Sequence, residues 1–189
     1  EIVKKQLDAQ IAANNLPVSY STVEAGIFST KISGLTVNNI DAGMLTVKYT
    51  PLSLLTKSAS ATLISPMGNA QLNTKKNVVS ANIDADLDLI GRIIGQNMLG
   101  FVNLNAEYDL STRKGSYRLN GGPLEMQRSL PALGGGALPV KFENVTGEGI
   151  IEDNNLFVSA FQATGPISAS ANGRITIDTR NILRSQLAL

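Results

Sequence analysis

The stretch Val78-Val79-Ser80-Ala81-Asn82-Ile83-Asp84-Ala85-Asp86-Leu87-Asp88-Leu89 decides the fold class. Val79, Ala81, Ile83, Ala85, Leu87 and Leu89 alternate with Val78, Ser80, Asn82, Asp84, Asp86 and Asp88. A period of two gives a strand one apolar face and one wet face. Residues 101 to 110 repeat the pattern, with Val102, Leu104, Ala106, Tyr108 and Leu110 opposed to Asn103, Asn105, Glu107 and Asp109. Residues 167 to 178 repeat it again, setting Ile167, Ala169, Ala171, Gly173, Ile175 and Ile177 against Ser168, Ser170, Asn172, Arg174, Thr176 and Asp178.

Outward from these three segments, strands are expected over 27–37, 44–50, 59–64, 70–73, 116–120, 140–151, 156–163 and 182–189. Turn chemistry separates them: Pro66-Met67-Gly68-Asn69, Ser111-Thr112-Arg113-Lys114-Gly115 and Glu152-Asp153-Asn154-Asn155 read as hairpin loops. Residues 1 to 14 carry helical spacing instead, with Ile2, Val3, Leu7 and Ile11 near one side, and Leu16-Pro17 ends the helix. Pro51 to Leu55 reads as a short helical turn, Ile90 to Leu99 as a short helix, and Pro123 to Pro139, with Gly134-Gly135-Gly136 inside it, as a long irregular connection. Strands with one wet face belong to antiparallel sheets. The expected architecture is a single mainly-β domain over 1–189, either one strongly bent antiparallel sheet or a β-sandwich, with an N-terminal helix and one or two short helices.

Composition narrows the chemistry. The 189 residues contain no His, Cys or Trp, and 16 Lys+Arg stand against 15 Asp+Glu. Zinc, haem and iron–sulfur ligand sets built on His and Cys are excluded, as are Ser-His-Asp and Cys-His catalysis. A net charge of +1 with scattered cations gives no footprint for nucleic acid. Asp84, Asp86 and Asp88 resemble the opening of a calcium loop, but Leu89 and Gly95 stand where an EF-hand needs Gly and Glu. The alternation reads them as one solvated strand face. Gly134 to Gly136 lacks the Lys-Ser/Thr of a phosphate-binding loop. Glu107, Glu125, Glu143 and Glu148 carry no spacing that marks a glycosidase pair. Tyr20, Tyr49, Tyr108 and Tyr117 fit core or border positions, and Lys75-Lys76 and Arg113-Lys114 sit in turns, where charge is normally solvated. No catalytic, cofactor-binding or metal-binding residue is nominated, and no cofactor is expected.

A resemblance is carried by the order of the pieces: Leu16-Pro17-Val18, Val23 to Phe28, Ile32-Ser33-Gly34-Leu35-Thr36-Val37 and Tyr49 to Leu55, closing with Ala171 to Ile177 and Ser185 to Leu189. In these features the chain resembles the protein N family of the bacterial type II secretion system (GspN), in the form similar to AsmA-like and lipopolysaccharide-transport periplasmic domains. The resemblance implies a periplasmic domain anchored to the inner membrane by a segment upstream of residue 1. It implies a non-enzymatic accessory of protein secretion, with other envelope proteins as partners. The AsmA-like relatives imply a second reading, lipid binding or transfer along an apolar face lined by residues such as Val102, Leu104, Ile167, Ile175 and Leu187.

Overall fold

The computed structural model describes residues 2–37, 39–50, 53, 56, 58–66, 68–88, 91, 97–129, 137–166, 168–176 and 186–188. The chain is mainly β, 71% strand, with one N-terminal helix and a single antiparallel sheet that does not close into a barrel. It divides into two compact units, residues 1–77 and 78–189.

The first unit opens with helix α1 (Ile2–Ala13). Its end is a Schellman arrangement: Asn15 takes a left-handed φ of 48°, Leu16 N–H donates to Ile11 O at 3.0 Å, and Asn15 N–H donates to Ala12 O at 3.2 Å. Pro17 follows and cannot extend the helix. Strands β1 (Val18–Ser19) and β2 (Thr22–Ala25) then lie along one side of β3 (Ser29–Val37), and the pairing continues through β4 (Ile40–Lys48), β5 (Ser58–Ser65) and β6 (Gly68–Lys75). β1 and β2 are too short to show a period and escape the sequence reading. Ser53, in the expected helical turn, forms a capping box with Thr50: Ser53 N–H donates to Thr50 Oγ1 at 3.0 Å and Thr50 N–H to Ser53 Oγ at 2.7 Å. Pro51, Leu52, Leu54 and Leu55 lie outside the described residues.

The second unit contains β7 (Val78–Asp86), β8 (Met98–Asp109), β9 (Lys114–Ser129), β10 (Ala137–Phe142), β11 (Asn144–Glu152), β12 (Asn155–Thr164), β13 (Ala169–Thr176) and β14 (Gln186–Ala188). The pairing order is β7-β8-β9-β11-β12-β13-β14, with β10 also on β9, and each pair is antiparallel. The loops at 111–115 and 152–155 make the hairpins their sequences promise, as does 66–69 in the first unit.

Five expectations are corrected. Pro123 to Pro139 is not irregular throughout: β9 runs on to Ser129 and β10 returns beside it, in register from Ala137↔Ser129 to Phe142↔Leu124. Gly134 to Gly136 lie outside the described residues. The strand expected over 140–151 is broken at Glu143 into β10 and β11. β7 stops at Asp86, and Leu87 and Asp88 are helical; Met98 and Leu99, read as the end of a helix, open β8. Leu110, read as inward, is 56% exposed because the chain has already turned.

The breaks in β8, β9 and β10–β11 are neighbours. Gly100 (φ 132°) lies opposite Leu124, Gly122 (φ 141°) precedes Pro123 through a cis peptide bond, and Glu143 separates β10 from β11. A Cβ on Gly100 would lie 2.3 Å from Pro123 O, and one on Gly122 would lie 2.3 Å from Glu143 O. Only glycine allows these backbones to approach at such dihedrals. The core of the unit sits at this crease: Leu87, Leu124, Val145 and Ala163 are buried, with Met98, Val102, Leu119, Met126, Phe142 and Phe161 packed against them.

Candidate functional site

Away from the crease, the apolar side chains of the second unit form rows across its strands. Ile83, Leu104, Leu119, Gly147, Phe161 and Ala171 are successive cross-strand neighbours. So are Ala81, Ala106, Tyr117, Gly149, Val158 and Gly173. A third row runs Val79, Tyr108, Gly115, Ile151, Leu156 and Ile175, with Leu187 opposite Ile175. None of these positions carries a charged side chain.

From Val79 to Ile175 the residues in these rows are half-buried rather than buried, apart from Gly147 and Gly149. Among the described residues of this unit the elements in extensive contact are sheet neighbours, and the helical Leu87 packs at the crease end of the face with Leu124, Val145 and Ala163. An antiparallel sheet normally buries its apolar face under a second layer about 10 Å away. Among the described residues of this unit no such layer covers the rows away from the crease. The glycines let large neighbours lie flat: a Cβ on Gly147 would touch Leu119 and Phe161 at 3.5 Å, and one on Gly149 would come within 2.9 Å of Tyr117. Burial alone raises the pKa of the Tyr117 phenol, so it stays protonated at neutral pH.

The opposite face is hydrogen-bonded and wet. Asn82 donates to Asn105 at 2.8 Å and Asn103 to Asp84 at 2.7 Å. Lys114 pairs with Glu152 at 2.9 Å, Lys141 with Glu125 at 3.0 Å and Arg118 with Glu148 at 3.8 Å. These pairs lie at the surface, with Glu125 partly buried, and contribute little to stability.

The structure places the sequence-derived candidates as follows. Val102, Leu104 and Ile175 share the apolar face, Leu187 takes its backbone place beside Ile175, and Ile167 lies outside the described residues. The acidic run is split. Asp84 bonds Asn103, Asp86 accepts the Asp88 N–H at 2.9 Å, and Asp88 belongs to the helical turn. Among the described residues no group of three acids could hold a metal ion. Of the four glutamates considered, Glu125 and Glu148 are in ion pairs, while Glu107 and Glu143 are exposed. Among the described residues no helix is long and apolar enough to cross a membrane.

Comparison of the chain with protein-family models, with curated proteins and with solved structures finds no match. The functional reading therefore stands on the geometry of the apolar face.

Proposed function

We propose that the second unit binds the hydrocarbon chains of lipids, as a lipid-binding or lipid-transfer protein without catalytic activity. The observation that carries this reading is the apolar face itself: rows of aliphatic and aromatic side chains, uncharged and, away from the crease, not covered by any other described residues of the unit. Its polar side-chain atoms in those rows are the hydroxyls of Tyr108 and Tyr117. An occupant that brings no hydrogen-bonding demand suits such a surface, and an acyl chain is one. Burying about ten methylenes at about 0.8 kcal/mol each gives roughly 8 kcal/mol before the cost of ordering the chain. That leaves an affinity between roughly micromolar and millimolar, suited to pick-up and release.

The test is native mass spectrometry of the purified protein with added fatty acid, alongside transfer of a fluorescent lipid between vesicles. The expected result is a lipid adduct that disappears in the double variant Ile83→Asn/Leu104→Asn. A protein that takes up no lipid, or whose uptake the double variant leaves intact, overturns the reading. An accessory role in type II secretion, and the periplasmic location that goes with it, rest on the sequence resemblance alone. Recovery of secretion proteins in a pull-down from envelope extract is their test.

A further inference from the structure

The first unit carries a different kind of surface at one end of its sheet. Charge is unevenly divided along the chain: residues 1–77 hold seven lysines and four carboxylates, a net +3, whereas residues 78–189 hold nine cations and eleven carboxylates, a net −2. The antiparallel order brings the start of β3, the end of β4, the start of β5 and the end of β6 together. Lys48, Lys75 and Lys76 thereby line one cavity of about 1330 Å³ with Phe28, Tyr49 and Thr74. Among the described residues no carboxylate lines it. Among the described residues none of the three lysines is in an ion pair, while Arg113, Lys114, Arg118 and Lys141 of the other unit all are.

Beside this cavity the β2–β3 hairpin presents two large apolar side chains at its tip, Ile27 at 78% and Phe28 at 59% exposure. The tip is held rather than loose. Gly26 N–H donates to Ser29 O at 2.7 Å, Tyr49 N–H to Phe28 O at 2.9 Å, and the Tyr49 hydroxyl to Gly26 O at 2.8 Å. Two apolar side chains fixed at a hairpin tip, beside three cations without counter-charges, match the two layers of an anionic bilayer surface. Lysines meet headgroup phosphates, and the apolar tip enters the boundary beneath them.

We infer that this end of the first unit docks on an anionic lipid surface, with Lys48, Lys75 and Lys76 taking headgroup phosphates and Ile27 and Phe28 inserting. The inference stands independently of acyl-chain binding by the second unit. Each lysine close to such a surface is worth about fivefold in partition, so three together are worth about 100-fold. The electrostatic part weakens with salt because the screening length shortens.

Co-flotation of the full chain with phosphatidylcholine vesicles, with and without phosphatidylglycerol, is the test. The expected result is binding that requires phosphatidylglycerol and falls about 100-fold in the triple variant Lys48→Gln/Lys75→Gln/Lys76→Gln. The double variant Ile27→Ser/Phe28→Ser should lose whatever binding survives high salt, and thermal melts should show both variants folded. Ile83→Asn/Leu104→Asn, on the other unit's face, should bind these vesicles normally, which separates this result from the acyl-chain test. Equal binding to neutral vesicles, full retention in the lysine variant, or complete competition by soluble glycerol phosphate each overturns the inference. The last outcome would make the cavity a site for small anions.

Discussion

Tyr49 holds Phe28 by its main chain: the Tyr49 N–H donates to the Phe28 carbonyl at 2.9 Å, while the same residue's hydroxyl reaches the Gly26 carbonyl at 2.8 Å. The hydroxyl also lies 3.1 Å from Oγ1 of Thr30, which is only 7% exposed. Tyr49→Phe removes one hydrogen bond from the hairpin tip and leaves a buried threonine hydroxyl short of a partner. The expected cost is about 1–2 kcal/mol in denaturant melting, with faster hydrogen exchange at Gly26. Unchanged exchange at Gly26 would mean that the tip is held by something else.

Gly100 predicts a backbone effect. Its φ of 132° is unfavourable for any residue with a Cβ, and that atom would lie 2.3 Å from Pro123 O and 3.1 Å from the Leu124 Cα. Relief requires β8 and β9 to move apart where Leu124 joins the core. Gly100→Ala should therefore destabilise the second unit by about 1–3 kcal/mol. Gly115→Ala is a poor control, because it also clashes with backbone, so the comparison belongs with an exposed strand position such as Asn105→Ala. Equal melting of the two variants would remove the crease from the account of stability.

These positions also show where sequence was readable. The alternation in 78–86, 101–109 and 169–176 reports a local property, the two-residue repeat of a strand, and it placed the apolar face correctly. The strands over 124–129 and 137–139 escape the sequence reading because Pro123, Pro139 and three glycines are breaker signals, while their pairing comes from across the sheet. Met98 and Leu99 were drawn into an expected helix because they continue an apolar run that periodicity cannot resolve. The cation cluster was not legible. Lys48 and Lys75-Lys76 are far apart in sequence, and only the β4-β5-β6 register brings them to one end. Ile27 and Phe28 looked like the start of a strand, and their exposure follows from the hairpin tip they occupy.

Burial separates two kinds of apolar position in the second unit. From alternation alone, Ile83→Asp is expected to unfold the domain, but Ile83 is half-buried on the open face, whereas Val145 is 3% exposed in the core. A carboxylate at 83 can turn towards water; one at 145 is trapped without a partner. Val145→Asp should cost about 3 kcal/mol or more and unfold the unit, while Ile83→Asp should cost distinctly less and abolish lipid uptake. Denaturant melts paired with the lipid assay check both. Equal loss of stability in the two variants would show that the face at Ile83 is packed.

The β8–β9 turn predicts a pH dependence. Asp109 accepts the Ser111 hydroxyl, the Ser111 N–H at 2.7 Å and the Thr112 N–H at 3.2 Å. These bonds favour the ionised carboxyl and hold its pKa below the usual carboxylate range, the Ser111 hydroxyl contributing most. A carboxyl whose folded pKa is depressed binds its proton less readily folded than unfolded. Its contribution to stability is therefore fully present above the unfolded carboxylate pKa and is lost as pH falls through the lowered folded value. The bonds are confined to the surface turn, so the effect should appear as local fraying of the hairpin rather than global unfolding. NMR titration should give Asp109 a midpoint below the ordinary aspartate value. The Ser111 amide should move with the same midpoint, and Ser111→Ala should raise it. An Asp109 midpoint at or above the ordinary aspartate value would mean that the turn bonds are not made in solution.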